Sequence, residues 1–305
     1  MLITSKYDEI EDITPICVAL GSFDGVHVGH QKLIEILKNC SKAYGAKSML
    51  YTFNKHPRKL TMPGKPIYFI TDNKKRAEIL NGLSLDILFL EEFENVMGMS
   101  SEQFVKNILI EKFGVKCVVI GYNYRFGFKG EGNADDMSEL GRKYGFKVEV
   151  VPAVEIDGHV VSSSLIRHII RAGNVDKIQQ YLGRDYSISG RVIYGKQNGT
   201  SMGIRTANLE LREDMTLPHT GVYITETLVD GEYFKSLTNI GYNPTFDGEK
   251  LSVESHLIGY ENELYNKEIE IFFIKRLRDE IRFSRIEDLV SQIRSDIKSR
   301  LDYIP

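Results

Sequence analysis

Two hydrophobic rhythms divide this chain of 305 residues. From Ile16 to Val151, short apolar runs alternate with segments whose apolar residues recur every three or four positions. The runs Ile16–Gly21, Ser48–Phe53, Leu85–Leu90, Val115–Gly121 and Phe146–Val151 predict strands. The stretches His30–Tyr44, Asn73–Asn81, Glu102–Phe113 and Asp135–Tyr144 predict helices, the third opened by a capping box at Ser100-x-x-Gln103. Strands of this kind alternating with helices imply a parallel sheet covered on both faces. Near Asp185 the rhythm changes to alternation. Strands are expected at Tyr186–Tyr194, Gly221–Val229, Tyr233–Ile240, Ser252–Leu257 and Glu268–Arg276, with turn signals such as Asp230-Gly231 and Asp247-Gly248 between them. Several short strands in about eighty residues predict a small antiparallel barrel. A final helix is expected over Arg285–Ile304, with Ile286, Leu289, Val290, Ile293, Ile297 and Leu301 as its packing stripe and Ser284-x-x-Glu287 as its capping box. The expected organisation is an α/β domain over residues 1–184 and an antiparallel β-barrel domain with a C-terminal helix over 185–305.

Composition narrows the function classes. The chain is 42% hydrophobic and 27% charged, as an ordinary globular protein is. Its net charge of -3 and lack of a basic block point away from nucleic acid. No signal core or membrane-length apolar run is visible, so a membrane partner is not expected. Cys17, Cys40 and Cys117 lack metal-ligand spacing and sit in apolar patterns. They read as reduced core residues of a cytoplasmic protein.

The candidate chemistry is concentrated at the end of the first strand. There the chain reads Leu20-Gly21-Ser22-Phe23-Asp24-Gly25-Val26-His27-Val28-Gly29-His30-Gln31 and runs into a helix. A helix N-terminus presents unpaired N–H groups to phosphate. Gly25 and Gly29 allow close backbone approach, and two imidazoles three positions apart can touch one polyphosphate. Ligands of parallel α/β sheets bind at this end of the strands.

The pattern His27-Val28-Gly29-His30 resembles the signature of the nucleotidyltransferase superfamily. The longer string from Gly21 to Gln31 resembles that of the bacterial bifunctional riboflavin kinase/FAD synthetase family. Two further strand-end loops fit it. Asn123, Tyr124, Phe126 and Gly127 match the family's Asn-Phe-x-Phe-Gly segment, with Tyr124 in place of Phe; read alone, a solvated loop with packing aromatics accounts for them equally well. Phe53, His56 and Pro57 match its Phe-x-Pro-His-Pro segment, with Lys55 where proline is common. Val161-Ser162-Ser163-Ser164-Leu165-Ile166-Arg167 resembles its Ile-Ser-Ser-Thr-x-Ile-Arg signature, although alone it reads as helix caps with a surface arginine.

The resemblance extends from about Gly21 to Asp296. In the second half, Gly195 to Asn208 corresponds to a glycine-rich loop followed by Gly-Phe-Pro-Thr-Ala-Asn. Thr206 and Asn208 are kept, while Ile204-Arg205 replaces Phe-Pro and Tyr194 replaces a common His. Asn239-Ile240-Gly241-Tyr242-Asn243-Pro244-Thr245-Phe246 and Val253-Glu254-Ser255-His256-Leu257 match as well. The family implies a Rossmann-like nucleotidyltransferase domain, transferring AMP from ATP to FMN, and a riboflavin kinase domain that makes the FMN. It implies His27 and His30 at the ATP phosphates and Arg167 at the leaving pyrophosphate. It implies Gly21, Phe23, Asp24, Gly29, Asn123, Ser163 and Ser164 in nucleotide binding, Thr206 and Asn208 at Mg²⁺, and Glu254 as the base acting on riboflavin. ATP, riboflavin and FMN would be the small-molecule partners of a monomer or weak homo-oligomer. The alternatives are a monofunctional FAD synthetase with a degenerate kinase domain and a flavin-binding regulatory protein.

Overall fold

The computed structural model describes residues 1–10, 15–55, 60, 64, 66–194, 205–245 and 248–304, with backbone alone at 243–245 and 248–250. His56, Pro57, Gly195 to Ile204, Phe246 and Asp247 lie outside the described residues. The chain packs as two compact units, Met1–Ser163 and Ser164–Pro305.

In the first unit six parallel strands form one sheet in the order β1-β4-β3-β2-β5-β6. They are β1 (Leu2–Thr4), β2 (Ile16–Leu20), β3 (Lys47–Phe53), β4 (Ile87–Glu91), β5 (Val115–Gly121) and β6 (Lys147–Val151). The helices are α1 (Val28–Tyr44), α2 (Asn73–Gly82), the single-turn α3 (Phe93–Val96), α4 (Ser101–Gln103) and α5 (Ala134–Tyr144). β2 is buried at every position because side chains of alternate residues enter different cores. Ile16, Val18 and Leu20 join Tyr51, Phe89 and Phe113 on one face, while Cys17 and Ala19 join Leu33, Leu37 and Leu88 on the other. The chain leaves β2 toward β3 on one side and β5 on the other, so the end of β2 is a topological switch point.

Two features depart from expectation here. β1 is too short to show as an apolar run. The helix expected over Glu102–Phe113 begins with the expected capping box but continues as a π-helix, Phe104–Ile110. That winding accompanies burial of Phe104, Val105, Ile108 and Leu109, and π segments are rare and frequently lie at functional sites.

The helix α6 (Ser163–Arg171) starts at the last residue of the first unit; the rest of it and α7 (Ile178–Leu182) belong to the second. Gly173, at φ +77°, seats the turn between them 3.0 Å from Tyr223 Oη, measured from where a Cβ would lie. Then comes a closed antiparallel barrel, β10-β13-β12-β11-β14-β9. Its strands are β9 (Tyr186–Ile193), β10 (Ala207–Glu210), β11 (Gly221–Val229), β12 (Glu232–Thr245), β13 (Gly248–Leu257) and β14 (Glu268–Arg278). β10 was not expected, because Ala-Asn-Leu-Glu carries little strand signal. Thr225, Thr227, Ser236, Thr238 and Ser255 are fully buried and bond one another, for example Thr225 Oγ1 to Ser236 Oγ at 2.7 Å.

The last helix, α8 (Ile286–Asp302), corrects two expectations. Its N-cap is Arg285, which makes no side-chain capping bond, so the Ser284 box does not form. Its apolar stripe docks only in part: Ile286 and Leu301 are exposed, and its buried residues are Asp296 and Arg300. Arg278 Nη2 donates to Asp296 Oδ2 at 2.7 Å and Arg300 Nε to the Thr225 carbonyl at 3.0 Å. Polar groups thus anchor the helix, with Ile297 packed beside Val222, Ile224 and Leu237. Among the described residues no helix is long and apolar enough to cross a membrane.

Candidate active site

β2 ends at Leu20, and Gly21 to His27 turn the chain into α1. Two non-glycine residues in this turn adopt left-handed backbone, Phe23 at φ 50° and Val26 at φ 40°. Such conformations cost of order 1–3 kcal/mol each and persist where surroundings enforce them. The enforcement is visible. The Asp24 carboxylate accepts the Ile70 N–H at 3.0 Å and the Thr71 N–H at 3.3 Å. The Gly25 N–H donates to Thr71 Oγ1 at 3.2 Å, and Gln31 Nε2 donates to the Val26 carbonyl at 3.0 Å. Gly25 has φ +79°, and a Cβ there would meet Ile70 at 2.9 Å, so only glycine fits.

His27 caps α1, its Nδ1 accepting the His30 N–H at 3.3 Å. The two imidazoles stack with centroids 3.6 Å apart and planes 14° apart, and the Phe23 ring lies 5.0 Å from His30. Burial, then the neighbouring His27, then Arg76 hold the His30 imidazole well below its usual pKa, so it is neutral at pH 7. A Cβ at Gly29 would touch the His27 ring at 3.2 Å. The turn therefore presents a stacked imidazole pair, with His30 neutral, at a helix N-terminus.

The structure brings Gly21, Phe23, Asp24, His27, Gly29 and His30 together. The Asp24 carboxylate is committed to holding the 70–71 backbone. Ser163 Oγ joins the cluster by donating to the Asp24 carbonyl at 3.0 Å. Ser164 and Arg167 belong to the second unit, in the first turns of α6.

Asn123 is exposed on the loop after β5. That loop is clamped onto the start of α4. The Ser101 N–H donates to Glu131 Oε1 at 2.8 Å. A Cβ at Gly127, φ +76°, would lie 2.4 Å from Ser101 Oγ, and one at Gly132 2.5 Å from it. Tyr124 and Phe126 stack at 5.9 Å, and burial raises the Tyr124 hydroxyl's pKa.

Sequence reasoning missed Arg76. The run Lys74-Lys75-Arg76 looks like a solvated face, yet Arg76 is only 6% exposed. Its Nη1 donates to the Ser22 carbonyl at 3.2 Å and its Nη2 to the Phe53 carbonyl at 3.1 Å. It ties the loop after β2 to the end of β3. Asn73 extends the tie, its Nδ2 donating to the Asn54 carbonyl at 3.0 Å.

In the second unit strand register does the assembling. Asn208 on β10 pairs with Glu254 on β13, which pairs with Asn239 on β12. Register partners share a face, here the outer face of the barrel. Glu254 and Asn208 are half-buried, and Thr206 is exposed beside them. The His256 ring donates from Nδ1 to the Arg205 carbonyl at 2.7 Å, fixing the backbone just before Thr206. Arg205 itself turns its Nη1 to the Glu261 carbonyl at 3.3 Å. Thr206 and Asn208 offer neutral oxygen donors of the kind that suits Mg²⁺. Among the described residues no group of three or more His, Cys, Asp or Glu side chains could hold a metal ion.

Comparison with known proteins matches residues 9–165 to the FAD synthetase family model and residues 182–304 to that of riboflavin kinase. A bifunctional riboflavin kinase/FMN adenylyltransferase of Listeria monocytogenes is 35% identical over 95% of this chain and 92% of its own length. The protein of that description from Bacillus subtilis is 33% identical over 94% of this chain and 92% of its own. A crystal structure described as a macrolide-efflux protein from Streptococcus pneumoniae superposes with a TM-score of 0.91 at 26% identity, covering 99% of both chains.

Proposed function

Because the chain belongs to the bifunctional riboflavin kinase/FMN adenylyltransferase family, we propose that its two residue clusters divide the two reactions between them. The chain is a transferase with an FAD synthetase and a riboflavin kinase domain. We draw the first over residues 1–184 and the second over 185–305. The two family models leave 166–181 unassigned, and this connector packs in the compact unit of the barrel.

In adenylyl transfer an oxygen of the FMN phosphate attacks the α-phosphorus of ATP. The bond to the leaving oxygen breaks, and pyrophosphate departs. No protein nucleophile is required, so catalysis consists of positioning and charge stabilisation. His27, His30 and the N-terminus of α1 receive the ATP phosphates. Gly21, Phe23, Gly29 and Asn123 surround the nucleotide. Ser163, Ser164 and Arg167 receive the pyrophosphate. The stacked His27–His30 pair at the switch point carries this reading.

In the kinase reaction Glu254 takes the proton of the riboflavin 5′-hydroxyl, whose oxygen attacks the γ-phosphorus and releases ADP. Thr206 and Asn208 would hold Mg²⁺, which when bound would offset phosphate charge. His256 keeps their strand in place through the Arg205 carbonyl. The buried or half-buried free thiols and the net charge of -3 support a cytoplasmic enzyme acting on small molecules rather than nucleic acid. Each cluster draws on one chain, which suits a monomer or weak homo-oligomer.

The test is His30→Ala assayed with riboflavin, ATP and Mg²⁺. FAD should disappear while FMN still forms. Wild-type FAD synthesis by this variant would remove His30 from the site.

A further inference from the structure

An open recess, about 260 Å³ counting the solvent at its mouth, lies where the loops after β2 and β3 meet α2, lined by Ser22, Asp24, Thr52, Phe53, Asn54, Phe69, Asn73 and Arg76, the Asp24 carboxylate being held by the Ile70 and Thr71 N–H groups. The Arg76 guanidinium is more than nine-tenths buried there. Its Nη groups are occupied by the Ser22 and Phe53 carbonyls and by Asn73 Oδ1 at 3.1 Å. Its Nε is buried without a partner. Among the described residues no carboxylate forms an ion pair with it, Asp24 and Asp72 acting only at longer range. A buried donor left without a partner costs free energy that a ligand oxygen would recover. A buried cation lacking a contact ion pair also favours an anion.

We infer that this recess seats the phosphate of the acceptor flavin nucleotide, with Arg76 as its cationic anchor. The inference rests on adenylyl transfer belonging to the His27–His30 cluster. The acceptor phosphate must approach a polyphosphate of like charge, so it needs a cation of its own. The neutral His30 does not supply one, whereas a guanidinium is always charged. Phe53 beside the recess offers an apolar neighbour to the flavin that carries the phosphate. The Arg76 bonds to the Ser22 and Phe53 carbonyls would hold acceptor and donor loops in one geometry. The attacking oxygen would then stand near the α-phosphorus.

The experiment measures FAD formation from FMN and ATP with full-length protein, varying each substrate. Arg76→Gln should raise KM for FMN about tenfold or more while KM for ATP stays within about twofold. Arg76→Lys keeps the charge but loses the planar fork, and should raise KM for FMN about threefold. Thermal melts report folding, and if Arg76→Gln does not melt cooperatively Arg76→Lys decides. An unchanged KM for FMN in a folded variant overturns the inference and leaves Arg76 as a brace between loops. An equal rise in both KM values overturns it in favour of an ATP contact. If the wild-type chain makes no FAD from FMN, the underlying assignment fails instead, which is a distinguishable result.

Discussion

The two units build their sites by opposite means. In the α/β unit the candidate residues sit beyond the ends of strands, several on a turn with left-handed backbone, and its central ones are buried: Asp24, His27 and Arg76 are each 6% exposed or less. In the barrel Asn208 and Glu254 sit on the outer face of the strands themselves, brought together by register, with Thr206 just before β10, and all three remain half-buried or exposed. A site made of buried turn residues is inseparable from the packing that holds the turn. A site displayed on a barrel wall can change without disturbing the wall. Substitutions should therefore couple activity to stability in the first unit and separate them in the second.

The sharpest separation is expected at Glu254. Glu254→Gln should lower FMN formation by about 10²–10⁴, the usual contribution of a general base. The melting midpoint should stay within error, and FMN to FAD conversion should be unaffected. A similar loss of both activities would break the contrast. His30→Ala should lower FAD formation by about 10²–10³, typical of a lost charge-stabilising contact. It should also lower the midpoint of the α/β unit, because the His27–His30 stack goes with it.

Stability changes come next. Gly127 has φ 76° and ψ -177°, a region essentially reserved for glycine, and a Cβ there would lie 2.7 Å from the Ser101 backbone nitrogen. Gly127→Ala should destabilise the first unit by about 3 kcal/mol in a denaturant melt. Arg300→Ala should cost about 2 kcal/mol in the second, through the lost bond to Thr225 and the hole behind α8. FMN formation at low temperature should survive. If Ile286→Ser destabilised more than Arg300→Ala, the apolar stripe would be the anchor after all.

The smallest effect is one of pH. His30 has a folded-state pKa below its unfolded value of about 6.5, so the unfolded chain binds the proton more readily. Its contribution is fully present above about pH 6.5 and is lost as pH falls below that value. Melts from pH 7.5 to 5.5 should show a falling midpoint for the first unit, with a shallower slope in His30→Gln. An equal slope in the variant would assign the loss to other groups.

Much of this was legible in the residues. The apolar runs at Ile16, Ser48 and Val115 could only be buried strands, and the glycines and histidines after Leu20 marked the switch point before the sheet order was known. What escaped was set by tertiary context. β10 carries Asn208 yet is four residues with one large apolar side chain. The Ser284 box had the right letters but lost to a helix start at Arg285. Ile286 and Leu301 had the right period but face away from the barrel, while Arg300 is buried. Arg76 had the opposite signal, a run of three cations, and only the fold turns it beneath the strand ends. At Arg205 the sequence suggested a loop without its proline constraint. The structure supplies another one, the His256 bond to the Arg205 carbonyl, so Arg205→Pro should change FMN formation by less than about threefold.

Independence of the two sites within one chain is most directly tested by complementation. His30→Ala alone, given riboflavin, ATP and Mg²⁺, should yield FMN and no FAD. Glu254→Gln alone should yield neither. Mixed in one reaction, the two variants should make FAD, because FMN released by the first is adenylylated by the second. No FAD from the mixture, with both proteins folded and Glu254→Gln supplied with added FMN also inactive, would contradict the division of labour.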